Sequence, residues 1–157
     1  MFIFLDIDGV MVPAKSWQRP ELLPDGFPAF SRSAIRVLQR FLDERTTVIL
    51  TTSHKSSHSL NEWERIFKRR GLVLFNVMTL DENVGHLNRK DELMNWFETN
   101  EIPENFVILD DDTSLNDLSL KLKSHLVLTS TLIGLTDHHI DDILRIAQPL
   151  SISKMMR

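Results

Sequence analysis

The stretch Phe2-Ile3-Phe4-Leu5-Asp6-Ile7-Asp8-Gly9 decides how this chain is read. Four consecutive apolar residues stop at an acid, a second acid follows two positions later, and a glycine permits a sharp turn. An unbroken apolar run of this kind suits a strand buried on both faces, as in a parallel sheet covered by helices. The pattern recurs downstream. The run from Val48 to Leu50 stops at Thr51 and Thr52, and the run from Phe106 to Leu109 stops at Asp110, Asp111 and Asp112. The run from Leu126 to Leu128 is a fourth, and Leu72 to Phe75 is a candidate fifth.

Helical patterns alternate with these runs. Ala34, Ile35, Leu38, Phe41 and Leu42 fall on one helical face, with Arg32, Arg36, Gln39 and Arg40 elsewhere on the wheel. Ser59 and Glu62 have the spacing of a capping box, opening a helix that ends near Gly71. Leu93, Trp96 and Phe97 mark a helix after Arg89, and Leu115, Leu118 and Leu122 mark another. Ile140, Ile143, Leu144 and Ala147 mark the last, ending at Pro149. The βαβα rhythm predicts an α/β, three-layer Rossmann-like fold with a mainly parallel central sheet. One domain is expected over residues 1–150, with 151–157 as a loosely held tail. Pro13, Pro20, Pro24 and Pro28 crowd the stretch after the first strand, which reads as an irregular excursion rather than a linker.

Composition narrows the function. Hydrophobic residues make up 42% of the 157 and charged residues 25%, so a sizeable core is available and global disorder is excluded. The absence of cysteine excludes disulfides, thiolate catalysis and cysteine-ligated zinc. No apolar run approaches the roughly 18 residues of a membrane span, and the N-terminal stretch lacks a signal peptide's basic start; a cytoplasmic location is expected. A net charge of −4 argues against a globally basic nucleic-acid binder, though not against an enzyme that touches only a nucleic-acid end.

The polar residues carry the chemistry by their position. Open α/β sheets bind ligands just beyond the carboxyl ends of their strands. Here those ends carry Asp6, Asp8, Thr52 and the Asp110–Asp112 run. Carboxylates converging at one edge repel one another strongly unless a cation joins them. Mg²⁺ suits such a place, because it accepts a few carboxylates, retained waters and a substrate phosphate.

FLDIDGV, then VILTTS, RKDEL and VILDDD, taken in order over residues 2 to 112, resemble the four motifs of the haloacid dehalogenase (HAD) superfamily of phosphohydrolases. The segment from Ser124 to Ala147 is similar to the end of its small capless members, including domains associated with RNA repair and polynucleotide phosphatases. The resemblance implies a HAD-like fold and a Mg²⁺-dependent phosphatase that works through an aspartyl-phosphate. It implies Asp6 as nucleophile and Asp8 as the acid that protonates the leaving oxygen and then the base that activates water. Asp6, the backbone at Asp8, and Asp111 with Asp110 beside it would meet the metal. Thr52 would hydrogen-bond a phosphate oxygen, with Thr51 as the one-residue-shifted alternative and Ser53 nearby. Lys90 or Arg89 would supply the cation that clamps the phosphoryl group.

The substrate is less legible. The segments between Gly9 and Val48 and between Thr52 and Lys90 are too short for a full cap domain, which leaves an open site suited to a large substrate such as a nucleic-acid end. Trp17, with Lys15 and Arg19, is a candidate to stack on a base or contact phosphates, against the plainer reading of a partly buried Trp that pins the loop. His54, Lys55 and His58 read first as a solvated helix start, with the pocket mouth as the alternative. His138 and His139, adjacent in a helix's first turn, read as surface. Two rival enzymes remain: a phosphoryl transferase with the same site, and a metal-dependent nuclease with an acidic cluster. A third rival is a non-catalytic domain that binds Mg²⁺ and phosphate in a regulatory role.

Overall fold

The computed structural model describes residues 1–15 and 17–147; the expected tail, and the expected helix end at Pro149, lie outside them. Five parallel strands form one sheet in the order β3-β2-β1-β4-β5. They are β1 (Phe2–Leu5), β2 (Thr47–Leu50), β3 (Asn76–Thr79), β4 (Phe106–Asp110) and β5 (Leu126–Leu128). β1 lies in the middle, with Leu5 level with Leu50 of β2 on one side and Leu109 of β4 on the other.

Alternate residues of each strand face opposite layers. Ile3, Leu5, Val48, Leu50, Val107 and Leu109 pack with α1 (Arg32–Gln39), α2 (Leu60–Arg69) and α5 (Ile140–Ala147). Phe4, Ile49 and Ile108 pack with α3 (Arg89–Thr99), and with Leu115, Leu118 and Leu122, the last of them in α4 (Leu120–Lys123). The sheet is therefore covered on both faces, which explains why its inner strands read as continuous apolar runs. This is the expected three-layer α/β, Rossmann-like arrangement with a parallel central sheet. Among the described residues, β1 is followed by the proline-rich excursion and α1, and β2 by α2 and β3, with no inserted cap domain.

Local chemistry sets the helix ends. Ser31 caps α1 by accepting from the Ala34 N–H, and Ser59 and Glu62 form the reciprocal capping box at α2. α2 stops at Arg69, and Gly71 follows at φ +84°. Two expectations are corrected. The strand expected at Leu72–Phe75 forms instead at Asn76–Thr79, because Leu72 and Leu74 are buried in the core in the connection between α2 and the sheet. The single helix expected through Leu115, Leu118 and Leu122 is a 3-10 turn (Thr113–Asp117) and the short α4, separated by extended backbone at Leu118 and Ser119. His138 and His139 lie in a 3-10 turn ahead of α5, where His139 Nδ1 accepts from the Thr136 N–H.

Arg70 holds the proline-rich excursion to α2. Its buried guanidinium donates to both Asp25 carboxylate oxygens and to the carbonyls of Phe27, Pro28 and Ile66. It also lies over the rings of Phe27 and Phe30, at 5.5 and 5.0 Å from their centroids.

Candidate active site

The parallel ladder continues one residue past the strands and lines polar groups along the carboxyl edge. The Asp6 N–H donates to Leu109 O, the Thr51 N–H to Leu5 O, and the Thr129 N–H to Asp110 O. Asp6, Thr51, Asp110 and Thr129 thus stand in a row set by backbone hydrogen bonds, and all four are buried. Asp6, Asp110 and Asp111 each direct a carboxylate oxygen to a common point, the three oxygens lying within 4.8 Å of one another.

Arg89, the first residue of α3, reaches into this cluster. Its Nη1 lies 2.6 Å from Asp110 Oδ2, 3.5 Å from Asp6 Oδ1 and 3.2 Å from Thr51 Oγ1. Lys90, half-buried beside it, forms no ion pair among the described residues. Of the two candidate cations, Arg89 is the one that contacts the acids. At the threonines, the Thr51 hydroxyl accepts from Arg89, whereas the Thr52 hydroxyl accepts from the His54 N–H and shapes the following turn. Ser53 is exposed in that turn.

Asp8 stands outside the cluster with its side chain 52% exposed, and its Oδ2 lies 2.9 Å from His54 Nε2. Gly9 adopts φ +80°, and a Cβ there would collide with the Asp111 carboxylate. Thr131 donates to Asp111 Oδ2 at 2.7 Å, and Thr129 Oγ1 donates to Gly9 O at 2.7 Å. Both threonines escaped the sequence reading. Thr129 carried the same signal as Thr51, a hydroxyl directly after an apolar strand run. Asp112 turns away, its Oδ1 accepting from the Ser114 N–H.

Lys55 is a correction. It is not at a solvated helix start; its side chain is 4% exposed and its ammonium pairs at 2.9 Å with Glu92, whose side chain is 10% exposed. Trp17 is 73% exposed on the excursion. The excursion also forms a cavity of about 420 Å³ lined by Asp8, Pro13, Lys15, Gln18 and Pro20 among others.

Burial, and then the charge of Asp110, push the Asp6 carboxyl up to about 8, against the opposing pull of Arg89 and the Ile7 N–H. Burial raises Asp110 as well. Arg89 alone therefore does not neutralise the acids around it. An all-oxygen donor set with surplus negative charge fits a hard divalent cation.

A family model described as the HAD domain in Swiss Army Knife RNA repair proteins matches residues 2–140, which span all five strands and every residue of the cluster. No curated protein and no solved structure matches the chain.

Proposed function

The chain belongs to the family of HAD domains found in Swiss Army Knife RNA repair proteins, and from that premise we propose that it is a Mg²⁺-dependent phosphomonoesterase working through Asp6. The family supports a HAD-type phosphohydrolase or phosphoryl transferase in general. The observation that carries the finer reading is the convergence of Asp6, Asp110, Asp111, Thr51 and Arg89 at one sheet edge, with Asp8 beside them.

The roles follow from chemistry. Asp6, at the end of the central strand, attacks phosphorus and forms the aspartyl-phosphate. Thr51 and Arg89 hold the non-bridging oxygens, where positive charge and a hydroxyl donor oppose the negative charge of the transferring group. Asp8, half-exposed and outside the buried cluster, protonates the leaving oxygen and then takes a proton from the attacking water. Asp6, Asp110 and Asp111, with the Asp8 backbone carbonyl, would hold Mg²⁺. When bound, the ion supplies positive charge that keeps Asp6 ionised and screens it from the incoming phosphate. Asp111 is fixed for this by Thr131, and Asp110 by Arg89 and the Asp112 N–H.

Openness supports a reading of the substrate class. No cap domain covers Asp8 among the described residues, so contacts beyond the phosphate come from the substrate's own body. In this reading the leaving group sits beside Asp8, and the cavity there offers charge, hydrogen bonds and flat apolar walls from Lys15, Gln18, Pro13 and Pro20. This supports a large phosphorylated substrate such as a nucleic-acid end.

The test has three parts. Hydrolysis of an aryl phosphate is expected to require Mg²⁺ and to stop with chelator. Asp6→Asn is expected to abolish turnover and acid-stable labelling by ³²P-phosphate ester. Full activity of Asp6→Asn would leave a metal-dependent nuclease type of site as the better account. Release of phosphate to water, rather than transfer to an added alcohol, separates hydrolase from transferase.

A further inference from the structure

Two consecutive residues, His54 and Lys55, reach from one turn to opposite ends of the site. The turn is built firmly. The His54 N–H donates to the Thr52 hydroxyl, the Lys55 N–H to the Thr52 carbonyl, and the Ser57 N–H to the His54 carbonyl. The indole N–H of the fully buried Trp63 donates to the Lys55 carbonyl, which ties the turn to α2. The His54 ring packs edge-on against Phe27 at 5.9 Å.

From this base the two side chains diverge. His54 Nε2 meets Asp8 Oδ2 at 2.9 Å. Lys55 Nζ donates to Glu92 Oε2 at 2.9 Å, and the other Glu92 oxygen lies 3.7 Å from Arg89 Nε. That Nε is buried and has no hydrogen-bond partner among the described residues. Glu92 thus stands between two cations, one fixed by the turn and one serving the Asp cluster.

We infer that the His54–Lys55 turn is a positioning element with two separate outputs: His54 orients Asp8, and Lys55 orients Arg89 through Glu92. The inference rests on the phosphatase reading above. His54 engages Oδ2 of Asp8 and so leaves Oδ1 for the substrate's leaving oxygen. Glu92, held by Lys55 on one oxygen, steers the Arg89 side chain so that Nη1 addresses Asp110, Asp6 and Thr51. A buried ion pair is weak evidence of stabilisation, since apolar residues of similar volume often replace one at no cost. Its use here is orientation.

The two outputs leave different kinetic signatures. Asp8 acts on the leaving oxygen, so losing its orientation matters most when the leaving group is a poor one. Arg89 acts on the non-bridging oxygens, so losing its orientation affects every ester alike. The experiment compares kcat for 4-nitrophenyl phosphate and for an alkyl phosphate, with thermal melting alongside. His54→Ala is expected to lower kcat on the alkyl ester by roughly 10²-fold and on the aryl ester by much less, with partial recovery in His54→Gln. The double variant Lys55→Met/Glu92→Leu is expected to melt within a few degrees of the parent yet lose roughly 10-fold or more in kcat on both esters, with KM nearly unchanged. Glu92→Gln, which keeps shape and one acceptor for Lys55, is expected to lose kcat in the same ester-independent way should the double variant fold poorly.

Equal losses on both esters in His54→Ala overturn the Asp8 arm, and full kcat in the well-folded double variant or in Glu92→Gln overturns the Arg89 arm. A parent protein that hydrolyses neither ester with Mg²⁺ overturns the phosphatase reading itself, which is a separate outcome.

Discussion

At the scale of the residue, much of the site was legible because its acids stand directly at the ends of apolar runs. Asp6, Asp8, Asp110 and Asp111 could be placed at the carboxyl edge from spacing alone. Spacing could not decide between neighbours. Thr51 differs from Thr52, and Arg89 from Lys90, only by which side of the chain each side chain leaves, and that depends on how far the strand ladder continues and how α3 is rotated. In the fold, Thr51 and Arg89 are the two that meet beside Asp110. Arg89→Ala is therefore expected to reduce kcat/KM far more than Lys90→Ala, by roughly 10²–10³-fold, as for loss of a preorganised donor to a developing anion. Steady-state kinetics on an aryl phosphate checks this. Gly9 makes a sharper demand. Its φ of +80° and its approach to the Asp111 carboxylate leave no room for a Cβ. Gly9→Ala is expected to cost about 1–3 kcal/mol of stability and to weaken Mg²⁺ binding measured by calorimetry.

At the scale of the element, the sequence reading succeeded where a chemical marker stood at the boundary and failed where only apolar character was available. The Ser59–Glu62 box located the start of α2, and Ser59→Ala is expected to cost about 1 kcal/mol in urea unfolding. The β3 register was missed because β3 is an edge strand. It is only partly covered, so Asn76–Thr79 lacks the continuous apolar run that betrayed β1 and β4. The leucines at 115, 118 and 122 are all buried as their spacing implied, yet they come from two short turns. The Arg70 clamp was invisible in sequence because Asp25 and Arg70 are far apart along the chain. It has a pH signature. Arg70's paired hydrogen bonds, helped by the Phe27 N–H, hold the Asp25 carboxyl down at about 2. A carboxyl depressed in the folded state contributes stability above its unfolded value near 4 and loses it as pH falls towards 2. Asp25→Asn is expected to lower stability by about 1–2 kcal/mol at pH 7, with the gap to the parent narrowing between pH 4 and pH 2. Urea unfolding across that range measures it.

At the scale of the whole molecule, the two-sided core and the sheet were the most legible features, because burial on both faces leaves so plain a mark on a strand. Phe4 shows what the second face contributes. It is fully buried, and its ring meets those of Trp96, Phe97 and Phe106 at 5.0, 5.2 and 5.9 Å. Phe4→Ala is expected to destabilise by about 3–5 kcal/mol, read from denaturant midpoints. Among the described residues, no helix is long and apolar enough to cross a membrane.

The central place of β1 has a consequence in time as well as in space. Phe2 of β1 pairs with Phe106 of β4, so the strand that bears Asp6 has one neighbour that is synthesised long after it. Such distant pairing carries a large loop-closure cost, which slows folding. On the ribosome, β1 emerges before β4 and can be flanked on only one side until β4 follows. Until then it is a candidate for chaperone capture or for mispairing with another chain. Asp110 ends β4, so the acids meet only after that late pairing. A truncated product ending before Phe106 would carry Asp6 but could not assemble the acidic cluster around it.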